Sequence, residues 1–346
     1  MKVTLIASIL TLVGSCSTPK YSTKITNLKN SIKLTDSSFV LKYANTISAS
    51  ELKTHLYEFA SEAFNGRATG EAGQEKAAAY LADYYKSNAI KSPINDSIYY
   101  QVVPKDYLPE GVNASENVLA YIEGSDYPEE VVIISAHLDH LGVTDGQINY
   151  GADDDGSGTV ALMEMAKAFK MAQDDGYGPR RSILFLHVTA EEIGLQGSRY
   201  YTEHPVFELH NTIANLNIDM IGRVDEAHKD NKNYLYLIGS DRLSKELHYL
   251  SEKVNNAYFN LELDYKYNAE DDPNRYYYRS DHYNFAQKEI PVIFYFNGEH
   301  EDYHSPTDTP DKIEYPLLEK RTKLIFATAW QIANQDHRLE VDYFNY

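Results

Sequence analysis

Val131-Val132-Ile133-Ile134-Ser135-Ala136-His137-Leu138-Asp139-His140 is the stretch on which the fold turns, a β-branched apolar run that stops at a cluster of ionisable side chains. A run of this length and type suits a strand covered on both faces. Working outward, residues 183–188 form a second such run and stop at Thr189-Ala190-Glu191-Glu192, and residues 213–218 form a third that stops at Asp219. Further short apolar runs lie at 118–122, 235–238 and 292–296. Between them, residues 159–171, 243–254 and 317–333 carry helical spacing, and two more helical patterns at 50–63 and 72–85 open the domain. Buried strands alternating with helices predict an α/β fold, a mixed and largely parallel twisted sheet flanked by helices on both faces. No internal repeat is visible.

A sheet of this kind binds its ligands beyond the carboxyl ends of its strands, and polar residues gather there. His137, the pair Glu191-Glu192, and Asp219 each follow a different strand. Imidazole and carboxylate donors without a thiolate suit zinc in a catalytic setting, where one position must stay open for water. The segment Gly151-Ala152-Asp153-Asp154-Asp155-Gly156-Ser157-Gly158 leads into the helix at 159. Helix capping accounts for Asp155 or Ser157. It does not account for three adjacent carboxylates near other acids, which repel one another unless a cation is present, so one of the three reads as a metal-bridging ligand. The residues alone do not choose among them. The loop Asp302-Tyr303-His304-Ser305-Pro306-Thr307-Asp308-Thr309, after the run at 292–296, supplies a second imidazole.

With 346 residues the chain can bury one sizeable core. Its 51 acidic against 32 basic residues give a formal charge of -19, which repels phosphate backbones and argues against nucleic acid as a partner. At the N-terminus, Lys2, the apolar run 3–13 and the small residues Gly14 and Ser15 before Cys16 read as a targeting segment too short to span a membrane. Cys16 is the only cysteine, so no intrachain disulfide is possible. Val13-Gly14-Ser15-Cys16 resembles the lipobox of bacterial lipoproteins, which implies an acylated Cys16; an ordinary signal peptide with an incidental cysteine is the other reading. Either way the mature chain is expected outside the cytoplasm. With a lipidated Cys16 it is held to a bacterial membrane by that anchor alone, facing the periplasm or the cell exterior. Residues 17–35 are rich in Ser, Thr, Lys and Asn without a sustained period, which suits a flexible tether. The expected organisation is a signal peptide at 1–16, a tether at 17–40 and a single domain at 41–346.

Taken together, the segments His137-Leu138-Asp139, Gly151 to Gly158, Glu191-Glu192-Ile193-Gly194-Leu195-Gln196-Gly197-Ser198, Asn217-Ile218-Asp219-Met220-Ile221-Gly222 and Tyr303-His304-Ser305 resemble, in order, the motifs of the M28 zinc aminopeptidases. The resemblance extends to Asn65-Gly66-Arg67 with Gly70, and to Arg279-Ser280-Asp281-His282. It implies the zinc exopeptidase fold and two zinc ions per chain, one held by His137 and Asp219 and the other by Glu192 and His304, with Asp154 as the bridge. It further implies a non-proline cis peptide after Asp154, an Asp139 carboxylate that orients the His137 imidazole, Glu191 as general base and a Tyr303 hydroxyl that supports the oxyanion. Peptides are the implied substrates, hydrolysed from the N-terminus. A carboxypeptidase of the same fold and a glutaminyl cyclase are alternative enzymes, and a non-catalytic binding protein is the alternative outside enzymes. Arg279, Asp281, His282 and His140 have no assigned role at this point; helix capping accounts for Ser280 and Asp281.

Overall fold

The computed structural model describes residues 21–35, 37–95 and 97–342. Cys16 and the apolar run before it lie outside the described residues. The chain divides into two units, residues 1–33 and residues 34–346. The described part of the first unit is one helix, α1 (Tyr21–Ser31), with no buried residue. It falls where the sequence suggests an irregular tether. A helix that buries no face needs no apolar stripe, so its sequence shows no period.

The second unit starts at Leu34, ahead of residue 41. Its first helix, α2 (Ser37–Ala44), buries Val40, Tyr43 and Ala44. Helices α3 (Ala49–Phe59) and α4 (Ala72–Ser87) follow, then strands β1 (Tyr100–Val103), β2 (Ser115–Ile122) and β3 (Tyr127–His137) and a small hairpin, β4 (Val143–Thr144) with β5 (Gln147–Ile148). The rest alternates: α5 (Gly158–Asp174), β6 (Arg181–Val188), α6 (Gln196–Glu203), β7 (Thr212–Ile218), β8 (Tyr234–Ile238), α7 (Lys245–Tyr258), β9 (Glu262–Asp264), α8 (His282–Ala286), β10 (Val292–Phe296) and α9 (Tyr315–Asn334).

Eight strands form one sheet in the order β1-β2-β6-β3-β7-β10-β8-β9. The central four, β6, β3, β7 and β10, are mutually parallel, while β2 and β8 flank them antiparallel. Every residue of β6 and β7 is buried, as is the second half of β3, which is why these segments read as unbroken apolar runs. Successive side chains still divide between two faces. Val131, Ile133, Leu184, Leu186 and Val188 pack with Tyr201 of α6 and Phe285 of α8. On the other face Phe185 meets Phe169 of α5, whose ring lies 5.8 Å from Trp330 of α9.

The register sets the site. Ser135 pairs with Asn217 and His137 with Val188, so β3, β6 and β7 release their next residues at one edge of the sheet. Tyr295 pairs with Ile218, which brings the loop after β10 to the same edge.

Candidate metal centre

At that edge the side chains converge on Asp154. Its Oδ1 lies 3.1 Å from His137 Nε2 and its Oδ2 lies 3.1 Å from His304 Nε2, so one carboxylate reaches both imidazoles. Asp219 Oδ1 stands 3.7 Å from His137 Nε2, and Glu192 Oε2 stands 3.3 Å from His304 Nε2. His137 and Asp154 are almost fully buried, whereas the His304 side chain is 38% exposed and faces outward. Glu191 brings a carboxylate oxygen within 4.8 Å of donor atoms of His137 and Glu192.

The three adjacent aspartates point in three directions. Asp153 Oδ1 accepts from the backbone N–H of Gly222 at 2.6 Å, and its Oδ2 lies 3.2 Å from His300 Nε2. Asp155 accepts from the N–H groups of His137, Gly158 and Met220 at 3.1, 2.9 and 3.2 Å. Asp154 alone turns into the site, and the Asp154–Asp155 peptide is cis. The backbone N–H groups of Asp153 and Asp154 both donate to Asp308. Gly151, at φ 54°, permits this turn: a Cβ there would fall 2.3 Å from the Asp154 carbonyl and 2.6 Å from the His140 ring.

Asp139 reaches His137 through its carbonyl and its carboxylate, and Glu191 through its carboxylate. His137 Nδ1 is 3.1 Å from the Asp139 backbone carbonyl and 3.8 Å from its carboxylate. A carbonyl only accepts, so Nδ1 carries the proton and Nε2 is left free for a ligand. The Asp139 carboxylate also accepts from the Glu191 N–H at 3.1 Å and from the Thr69 hydroxyl at 2.8 Å. It thereby also positions Glu191.

Ser280 and Asp281 do not cap α8 with their side chains. Ser280 Oγ donates to Asp219 Oδ2 at 2.7 Å and accepts from Asn217 Nδ2 at 2.8 Å, which fixes the Asp219 carboxylate from inside the sheet. Asp281 accepts from Ser198 Oγ at 2.5 Å, and burial lifts its carboxyl to about 7. His282 packs away from the site on Phe294, with ring centroids 4.8 Å apart. Arg279 pairs with Glu299 at 3.2 Å, at a pocket walled by Met220, Tyr276, Phe294 and Phe296 that opens beside Asp219 and Tyr303.

Three side chains gain a place that sequence reasoning did not assign. His140 Nδ1 lies 2.6 Å from Glu192 Oε1. Asp308 holds the backbone of the aspartate run. Arg67, fully enclosed, donates to the carbonyls of Leu138, Phe59, Tyr150 and Gly151. The signals present were the adjacency of His140 to Asp139, the place of Asp308 in the loop that carries His304, and the motif Asn65-Gly66-Arg67 for Arg67.

Burial, together with the neighbouring Asp219, Glu192 and Asp281 charges, pushes the Glu191 carboxyl well above the usual glutamate range. Burial and the Asp154, Asp219 and Glu192 carboxylates likewise raise the Tyr303 hydroxyl, which keeps its proton and can donate. Left-handed backbone clusters here too, at Ala190 before Glu191, at Met220 after Asp219 and at His304 itself. Such conformations cost about 1–3 kcal/mol each and collect where a side chain must be aimed.

The donor set fits a metal. His137 Nε2 and Asp154 Oδ2 are buried without a hydrogen-bond partner, although Asp154 Oδ1 lies 3.1 Å from the first and His304 Nε2 3.1 Å from the second. Tetrahedral ligands bound at about 2.0–2.1 Å lie about 3.3 Å from one another, which is close to the 3.1, 3.1 and 3.3 Å separations among His137, Asp154, His304 and Glu192. His137, Asp154 and Asp219 form one group able to hold a metal ion, and His140, Asp154 and Glu192 form another that shares Asp154.

The comparisons with known proteins agree with this chemistry. A probable glutamate carboxypeptidase of Arabidopsis thaliana is 36% identical over 134 residues, covering 36% of this chain and 19% of that protein. A probable leucine aminopeptidase of Aspergillus oryzae is 38% identical over 112 residues, covering 32% of this chain and 20% of that protein. The match thus spans about a fifth of each relative's length. A zinc aminopeptidase from Bacillus subtilis shares the fold with a TM-score of 0.64 at 17% identity, covering 84% of this chain and 97% of that one. The family model described as "Peptidase family M28" matches residues 117–329, the segment that carries every residue converging on Asp154, and the chain belongs to that family.

Proposed function

We propose that the chain is a metal-dependent aminopeptidase with two zinc ions, one held by His137 and Asp219, the other by Glu192 and His304, and both by Asp154. The observation that carries this reading is the Asp154 carboxylate, with one oxygen 3.1 Å from each of two imidazoles. When bound, the ions polarise the scissile carbonyl and lower the pKa of water. Glu191, held by its N–H on Asp139, takes the proton of the attacking water and delivers it to the leaving amine nitrogen. Tyr303 Oη donates to the oxygen on which negative charge develops. A small recess lined by Met220, Tyr276, Phe294 and Phe296 together with Arg279 and Glu299 opens beside Asp219 and Tyr303.

The carboxypeptidase reading is kept because a probable carboxypeptidase is among the relatives and because Arg279 stands at the pocket mouth. Hydrolysis of matched free and N-acetylated peptides, with and without chelator, separates the two. Release from free N-termini only, lost with chelator and reduced about 10²–10⁴-fold in Glu191→Gln with zinc content retained, is the expected result. Equal cleavage of acetylated peptides from the carboxyl end would move the assignment to a carboxypeptidase. No hydrolysis by zinc-loaded chain would favour the cyclase or binding readings.

Export and anchoring through Cys16 also belong to this proposal, and the sequence at 3–16 supports them. Among the described residues no helix is long and apolar enough to cross a membrane.

A further inference from the structure

The two imidazoles nearest Glu192 meet it in different ways. His304 Nε2 stands 3.3 Å from Oε2, close to the spacing of two ligands on one ion, whereas His140 Nδ1 stands 2.6 Å from Oε1. Two tetrahedral zinc ligands cannot approach that closely, since bonds of about 2.0–2.1 Å at tetrahedral angles hold them about 3.3 Å apart. A separation of 2.6 Å is that of a strong hydrogen bond to a charged acceptor. An ionised carboxylate only accepts, so Nδ1 is the donor.

The His140 ring is also built into place. Its side chain has no exposed surface, its backbone N–H donates to the Arg67 carbonyl at 3.1 Å, and Gly151 lies so close that a Cβ would stand 2.6 Å from the ring. Nε2 is buried without a partner, so the ring gains its polar contact on the Glu192 side.

We propose that His140 is a positioning residue for Glu192: its Nδ1, which lies 3.9 Å from Asp154 Oδ2 but 2.6 Å from Glu192 Oε1, holds Oε1 through its N–H and leaves Oε2 as the oxygen that faces His304. This rests on the two-metal reading above. It makes the second metal position depend on a residue that need not touch the metal, with Glu192 the residue that would hold it.

The test uses the full chain, stripped by chelator and titrated with zinc alone by calorimetry, in wild type, His140→Ala, His140→Gln and His140→Asn. The asparagine amide N–H can occupy the place of Nδ1–H, and the glutamine amide reaches only the place of Nε2. His140→Ala and His140→Gln are expected to weaken one of the two zinc sites about 10–100-fold and leave the other unchanged. His140→Asn is expected to restore the weakened site. Equal loss in Asn and Ala would show that an N–H donor at the place of Nδ1 does not sustain the site, and would overturn the proposal. Unchanged zinc binding in all three variants would overturn it in favour of simple packing. A wild type that takes up fewer than two zinc ions would defeat the two-metal reading itself, and this proposal with it. Urea midpoints of the metal-free variants check the fold; should His140→Ala not fold, the contrast between Asn and Gln still decides.

Discussion

Asp153, Asp154 and Asp155 have the same side chain and sit side by side, yet backbone direction gives them different work. Asp153 and Asp155 accept backbone N–H groups of Gly222, His137, Gly158 and Met220, and only Asp154 faces the imidazoles. Arg67 is the counterpart among the cations. Its guanidinium binds four backbone carbonyls, three of them in the segments that carry His137 and Asp154, and burial lowers it only to about 10, so it stays charged. Its planar fork satisfies several acceptors at once, which a lysine ammonium on a flexible stem does not reproduce. Arg67→Lys is therefore expected to cost about 3–5 kcal/mol in urea unfolding and to weaken zinc binding. A urea midpoint equal to wild type would show that buried charge alone suffices there. Sequence reasoning pointed to Arg67 through a motif but assigned it no task, because its partners are carbonyls, which every residue carries.

At the scale of elements, the apolar runs that become β3, β6, β7 and β10 are legible because strands covered on both faces need no polar alternation. The contact of α4 with β6 is not, since it joins residues far apart in the chain: the hydroxyl of Tyr85 lies 2.6 Å from Nε2 of His187, which is fully enclosed. Burial lowers His187 from 6.5 to about 3. Below pH 6.5 the unfolded chain binds a proton at this imidazole and the folded chain does not, so the contribution to stability is complete above 6.5 and falls as pH drops toward 3. Between pH 6.5 and pH 5 the loss from this residue is about 2 kcal/mol. His187→Gln should lower stability at neutral pH but flatten this part of the acid limb, measured as urea midpoints at pH 7.5 and pH 5. A variant with the same acid slope as wild type would assign the sensitivity elsewhere. The loop between β10 and α9 was legible only as a motif, since its approach to Asp154 depends on the register of β10 against β7.

For the whole molecule, the formal charge of -19 is a property of the sequence, and several of its carboxylates, among them Asp154, Glu191, Glu192 and Asp219, gather at one sheet edge. Attachment to a membrane, if through Cys16, is separable from that edge. Cys16→Ser is expected to move the chain from the membrane fraction to the aqueous one, with kcat/KM on free N-terminal peptides unchanged; a wild-type chain already found in the aqueous fraction would remove the anchor from the account. The α/β class and the strands were legible in the sequence itself, because continuous apolar burial is a local property, and His137, Glu191, Glu192 and Asp219 drew notice there by following those strands. Only the tertiary structure decided that the Asp139 carboxylate holds Glu191 while its carbonyl orients His137, that Ser280 fixes Asp219, and that His140 meets Glu192. Those pairings join segments far apart in the chain, and their distances are set by strand register and left-handed turns, which no local run of residues encodes.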